Sequence, residues 1–188
     1  MTTPYRVCFV CTGNICRSPM AESVFRARIA EDGLDALVET DSAGTGGWHE
    51  GDGADPRTIA VLRDGGYPTT HTARQFRASW FARRDLVIAL DSGHLHELRR
   101  LAPTPEDAAK VHLLRAYSCG TGPAAGPSDL DVPDPYFGGF AGFEECLEMI
   151  EGACDGLLEA VRAEVTSGAP GPAEPRPGLH HPHHKESA

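Results

Sequence analysis

Short apolar runs alternate with longer stretches whose apolar residues recur every three or four positions. That alternation predicts βαβ units, an α/β fold with a parallel sheet covered by helices on both faces. Residues 6–10, 38–41, 86–90 and 111–114 read as strands. After the first comes a short loop, then Ser18, Pro19 and a helical stretch with Ala21, Val24, Phe25 and Ile29 on one face and Glu22 four residues before Arg26, a favourable ion-pair order. Residues 56–68 predict a second helix, with Pro56 in its first turn and Gly65 and Gly66 ending it. Residues 92–103 predict a third, capped by Ser92. The clearest stripe is the last, where Phe143, Leu147, Ile150, Cys154, Leu157, Val161 and Val165 share one face that should dock on the sheet.

Two stretches lack such periodicity. Residues 118–142 are rich in Gly and Pro but interleave aromatic and acidic residues, the composition of a long functional loop. Residues 167–188 are rich in Pro, Gly and His, with Leu179 as their one large apolar residue, and read as a disordered tail behind a single domain of residues 1–166.

Composition narrows the function classes. Lys and Arg number 17 against 27 Asp and Glu, a formal net charge of −10, which argues against nucleic acid or an anionic membrane as partner. Any anion must be captured locally. The first residues carry no basic leader or signal-length apolar run, and no stretch reaches membrane-spanning length, so a cytoplasmic protein is expected. The six cysteines, at 8, 11, 16, 119, 146 and 154, are too sparse for a disulfide scaffold and read as reduced thiols. Cys119, Cys146 and Cys154 read as structural. The HHPHH run at 180–184 has no carboxylate or cysteine partner at site-like spacing, so no metal site is expected.

The candidate chemistry lies in VCTGNICRSP, residues 10–19. Cys11 and Arg17 bracket five residues between a strand and a helix, where successive backbone N–H groups can curl into an anion-binding nest at the positive helix end. Thr12, Gly13, Asn14, Ile15 and Cys16 would line it. Arg17 offers a planar fork for two phosphoryl oxygens, and the positive surroundings favour Cys11 as a thiolate nucleophile. Gly13 allows unusual backbone angles, and Asn14 tolerates a left-handed one.

VCTGNICRSPMAE (10–22) resembles the phosphate-binding loop of the low-molecular-weight protein tyrosine phosphatases, and DPYFG (134–138) resembles that family's general-acid loop. Shorter echoes are SAGTGGWH (42–49), DPRT (55–58), GYPTTHTARQ (66–75) and ALDSGHL (89–95). The resemblance implies a three-layer α/β fold with a four-stranded parallel sheet and the phosphate loop after the first strand. It implies that Cys11 attacks phosphorus to form a phosphocysteine, that Arg17 and the loop amides hold the phosphoryl oxygens, and that Asp134 acts as acid and then base. Ser18 would hydrogen-bond the Cys11 sulfur, while Asn14, Ser42 and His71 would support the loop. The mechanism needs no cofactor or metal.

Ile15, Trp48, Tyr136 and Phe137 suggest an aromatic-walled slot for a flat phenyl ring, and hence tyrosine-phosphorylated proteins as substrates. A protein arginine phosphatase is the nearer alternative, although threonine usually stands there in place of Ile15. A non-catalytic phosphoprotein-binding module is the other, disfavoured because Cys11, Arg17 and Asp134 are all present. Arsenate reductase chemistry lacks its further redox cysteines, since none lies between Cys16 and Cys119. A tyrosine kinase is a further partner by family habit, with Phe137 replacing the second of the tyrosines such kinases modify. A monomer is the default.

Cys16 resembles the family's second loop cysteine, which pairs with the nucleophile under oxidation and protects it from irreversible over-oxidation. Peroxide inactivation should therefore be reversed by thiol in the parent and incompletely in Cys16→Ser; equal recovery of activity in both would remove the protective role.

Overall fold

The computed structural model describes residues 3–118, 127–167 and 173–175. Four strands, β1 (Tyr5–Cys11), β2 (Val38–Gly44), β3 (Leu86–Ala89) and β4 (Val111–Leu113), form one parallel sheet in the order β2-β1-β3-β4. Alternation along β1 sends Val7 and Phe9 to one face and Cys8 and Val10 to the other, as a strand covered on both sides requires. The first face is covered by α1 (Arg17–Glu31), α2 (Pro56–Asp64) and α5 (Phe140–Ser167). The second is covered by α3 (Ser92–Leu101) and a 3₁₀ turn at Ala78–Arg83 that brings in Phe81. The three-layer fold is the expected one. A short α4 (Pro105–Ala108), capped by Thr104, follows α3 without any signal in the apolar periodicity.

Some element boundaries differ from those the apolar pattern predicts. β2 runs on to Gly44, beyond the expected end at Asp41, because Ser42, Ala43 and Gly44 pair in register with Phe9, Val10 and Cys11. α2 is shorter than expected and ends at Asp64, with Gly65 as C-cap and Gly66 at φ 78°. Ser92 is not the cap of α3. That role falls to Asp91, whose carboxylate accepts from the His94 amide, while the Ser92 hydroxyl turns to Asp131.

The composition of residues 167–188 predicts disorder, but Ala173 is buried. Its N–H donates to Tyr5 Oη at 2.9 Å and its carbonyl accepts from Tyr117 Oη at 2.6 Å, so two tyrosines hold this short piece against the domain. HHPHH and Cys119 lie outside the described residues.

Strand order reverses at β1, with β2 on one side and β3 on the other. In open α/β sheets ligands bind beyond the strand C-termini at such a switch point. Cys11 ends β1 and Asp91 follows β3, so the fold carries both to that crevice.

Close packing of α5 rests on Gly156, where a Cβ would lie 1.9 Å from the Tyr117 carbonyl oxygen. Gly156→Ala should lower the unfolding free energy by about 1–3 kcal/mol through overpacking. An unchanged urea midpoint would show that α5 can move off the Tyr117 backbone at little cost.

Candidate active site

The loop after β1 turns back on itself at Asn14, which is fully buried and has φ 57°. Gly13 is not in the left-handed region. Its missing side chain instead makes room for His49, whose Cδ2 would lie 2.9 Å from an added Cβ. Asn14 is held on every side. Its Nδ2 donates to Ser18 Oγ (2.8 Å) and Ser42 Oγ (3.0 Å), its Oδ1 accepts from the Arg74 amide (2.9 Å), and its carbonyl accepts from His71 Nε2 (2.6 Å). Ser42 in turn donates to Glu22 Oε1. The expected trio of Asn14, Ser42 and His71 is therefore assembled, and Glu22 and Arg74 join it without a sequence signal.

Three further loop carbonyls are also tied from behind. Cys11 O accepts from Thr45 N, Thr12 O from Gly46 N and Ile15 O from Asp55 N. In a trans peptide the N–H points opposite to the C=O, so these bonds turn the amides of residues 12, 13, 15 and 16 toward the inside of the loop. That is an anion nest beside the N-terminus of α1.

Cys11 sits within it, with its Sγ 2.9 Å from Ser18 Oγ. Ser18 Oγ accepts from Asn14, and its single proton has two acceptors within reach, the sulfur at 2.9 Å and the Ala43 carbonyl at 3.3 Å. Arg17 is almost wholly buried; its NH1 donates to Asp91 Oδ2 and to the Val132 carbonyl, both at 2.8 Å, and NH2 lies 3.8 Å from Asp134 Oδ2. A cavity of about 180 Å³ opens from Cys11 and Arg17 between Ile15, Trp48, Tyr136 and Phe137. Trp48 lies across Gly46, where any Cβ would collide with its ring, and it remains 76% exposed; Phe137 is 91% exposed. The structure thus brings the nucleophile, arginine, acid and slot residues of the sequence reading to one opening.

Three features behind the opening were not read from sequence. Asp91 holds Arg17, and His94 stands behind Thr12, with Nε2 2.8 Å from Thr12 Oγ1. His94 Nδ1 is 3.2 Å from Asp91 Oδ1 but not aligned for a hydrogen bond. Burial pushes the His94 ring down to about 4, against the pull of Asp91. Burial also works to raise the Asp91 carboxyl, yet the His94 amide, the His94 ring and Arg17 together hold it below the ordinary carboxylate range. Cys146, read as structural, donates to the Pro133 carbonyl next to Asp134. Cys16 is buried and its thiol is pushed up to about 12. The one signal available for His94 was its place three residues after the α3 cap, Asp91.

The sequence model of the low molecular weight phosphotyrosine protein phosphatases matches residues 6–167. A low molecular weight protein-tyrosine-phosphatase of Streptomyces coelicolor is 70% identical over 165 residues, covering 88% of this chain and 98% of the relative. Low molecular weight protein-tyrosine phosphatase A of Mycobacterium tuberculosis is 45% identical over 170 residues, covering 90% and 99%. Among solved structures, YfkJ of Bacillus subtilis superposes with a TM-score of 0.77 at 35% identity, covering 87% of this chain and 98% of its own. A protein tyrosine phosphatase of Entamoeba histolytica with Hepes in its active site superposes with a TM-score of 0.77 at 34% identity, covering 84% and 97%.

The buried His94 makes stability depend on pH. The unfolded chain takes up this proton near the ordinary 6.5, the folded chain only near 4, so the stabilisation is present above 6.5 and is lost as pH falls between the two. The loss amounts to about 3 kcal/mol at most. Urea unfolding from pH 7 to 4 should therefore show a shallower fall in His94→Gln than in the parent; equal slopes would mean that His94 is not held neutral.

Proposed function

The chain belongs to the low molecular weight phosphotyrosine protein phosphatase family, and from that we propose that it hydrolyses phosphotyrosine in proteins through a phosphocysteine on Cys11. The supporting observation is the 2.9 Å contact between Cys11 Sγ and Ser18 Oγ inside a loop whose amides face inward, with Arg17 at its edge. A thiol in such surroundings is a nucleophile rather than a structural group.

The chemistry follows from these positions. The Cys11 thiolate forms an S–P bond as the P–O bond to the tyrosine breaks. The loop amides and Arg17 take up the charge that spreads over the equatorial oxygens. Asp134, at the mouth, gives its proton to the departing phenolate oxygen. Its carboxylate then takes a proton from water as the water oxygen bonds to phosphorus and the S–P bond breaks. Ser18 donates to the sulfur that is released, so the enzyme returns with its thiolate restored and inorganic phosphate leaves.

Arg17 serves this cycle because it cannot drift. Asp91 and the Val132 carbonyl occupy NH1 and leave the other side of the fork for phosphate. The aromatic walls around the opening favour a phenyl ester over a short alkyl one. Among the described residues, no helix is long and apolar enough to cross a membrane.

Phosphate release from matched phosphotyrosine, phosphoserine and phosphoarginine peptides, with EDTA present, tests the reading. Turnover should be confined to phosphotyrosine, vanish in Cys11→Ser, and fall in Asp134→Asn by on the order of a hundredfold, the lower range for a lost general acid. Faster turnover of phosphoarginine would favour an arginine phosphatase; binding without turnover would favour a phosphoprotein reader.

A further inference from the structure

We infer that Arg57 is a positioning residue that straps the general-acid loop to the phosphate loop, an inference that rests on the phosphatase reading above. Arg57 lies in the first turn of α2, outside the cavity lining. Its guanidinium is locked to Asp55 by two bonds of 3.1 Å, Nε to Oδ1 and NH2 to Oδ2, and its amide donates to the same carboxylate at 2.8 Å. Asp55 is itself fixed to the phosphate loop, because its N–H donates to the Ile15 carbonyl at 2.9 Å.

The other side of the guanidinium reaches the acid loop. NH2 donates to the Tyr136 carbonyl at 3.0 Å and NH1 to the Gly138 carbonyl at 3.2 Å. The guanidinium also stacks on the Phe143 ring, 4.4 Å from its centroid, and lies 5.6 Å from that of Tyr136. A planar five-donor fork can bind a carboxylate and two carbonyls at once, which lysine cannot.

The acid loop needs such a tie on one side. Upstream of Asp134, Val132 bonds both Leu90 and Arg17, Asp131 accepts from Ser92, and Pro133 accepts from Cys146. Downstream, among the described residues, the hydrogen bonds that reach residues 136–138 from outside the loop come from Arg57. Asp134 Oδ1 also accepts from the Tyr136 amide at 3.1 Å, so movement of Tyr136 is passed to the carboxyl. Loss of Arg57 should leave the phosphate loop intact and let the acid wander.

The reaction reports this through its leaving group. A phenolate as basic as that of tyrosine needs the proton from Asp134, whereas a dinitrophenolate leaves without it. In Arg57→Ala, kcat/KM for a phosphotyrosine peptide should fall about tenfold, a fraction of what an acid group contributes, and that for 2,4-dinitrophenyl phosphate should hold. Inhibition by inorganic phosphate should be unchanged, and Arg57→Lys should recover only part of the loss. In an Asp134→Asn background, Arg57→Ala should cost nothing further, since both changes act through one group. Equal losses on the two substrates, a loss of phosphate affinity, additivity with Asp134→Asn, or no loss at all would each overturn the strap. A parent that hydrolyses neither substrate would instead overturn the phosphatase reading beneath it.

Discussion

A loop that presents consecutive amides to an anion must bury the carbonyls of the same peptides and find partners for them. An unpaired buried carbonyl costs about 1–3 kcal/mol, and here those of Cys11, Thr12, Asn14 and Ile15 all need partners. Their partners are Thr45 and Gly46 just after β2, Asp55 at the α2 cap, and His71. The phosphate loop therefore exists only where the whole C-terminal edge of the sheet is assembled around it. Asn14 concentrates that dependence. Its left-handed backbone aims one carbonyl at His71, and its amide group bonds two serines and a backbone N–H. One side chain thus sets the loop's shape and the orientation of the hydroxyl that faces the nucleophile.

The charge within the loop imposes a second requirement. A buried guanidinium without a partner would be strongly unfavourable, and Arg17 gains one from Asp91 at the end of β3. The same carboxylate caps α3, so the helix dipole, the His94 amide and Arg17 all stabilise its charged form. Phosphate binding and the start of α3 are linked through two oxygens. The third contact of Arg17, with the Val132 carbonyl, extends this link to the base of the acid loop.

Much of this frame was legible in the sequence because it is local. The strand, the loop and the first helix are contiguous, so the spacing of Cys11 and Arg17 carries its own structural context. Asp134 was legible for a different reason, since an Asp-Pro followed by aromatic residues stands out in a Gly-rich loop. What stayed hidden was long-range. Asp91 lies 74 residues from Arg17, and Arg57 lies 79 from Tyr136. Nothing in apolar periodicity distinguishes them from solvated charges. Ser92 misled for a related reason: next to an aspartate both are good caps, and the choice depends on where Asp131 lies. The continuation of β2 through Ser42, Ala43 and Gly44 was masked because pairing with β1, not a run of large apolar residues, makes that end of the strand.

The exposed aromatic residues fit the same logic. Trp48 and Phe137 leave large apolar surfaces in water, which a domain with this much core to fill would ordinarily bury. Both instead line the cavity whose base is formed by Cys11 and Arg17. Phe137 packs edge-to-face on Tyr136, ring centroids 5.0 Å apart, so a flat ring entering the opening would lie against this pair and Trp48. A short alkyl phosphate reaching the base would leave that surface wet and press its own backbone against the rim. On the proposed reading, apolar area at the mouth and fixed charge at the base would select the same ligand from opposite ends, and neither would discriminate alone.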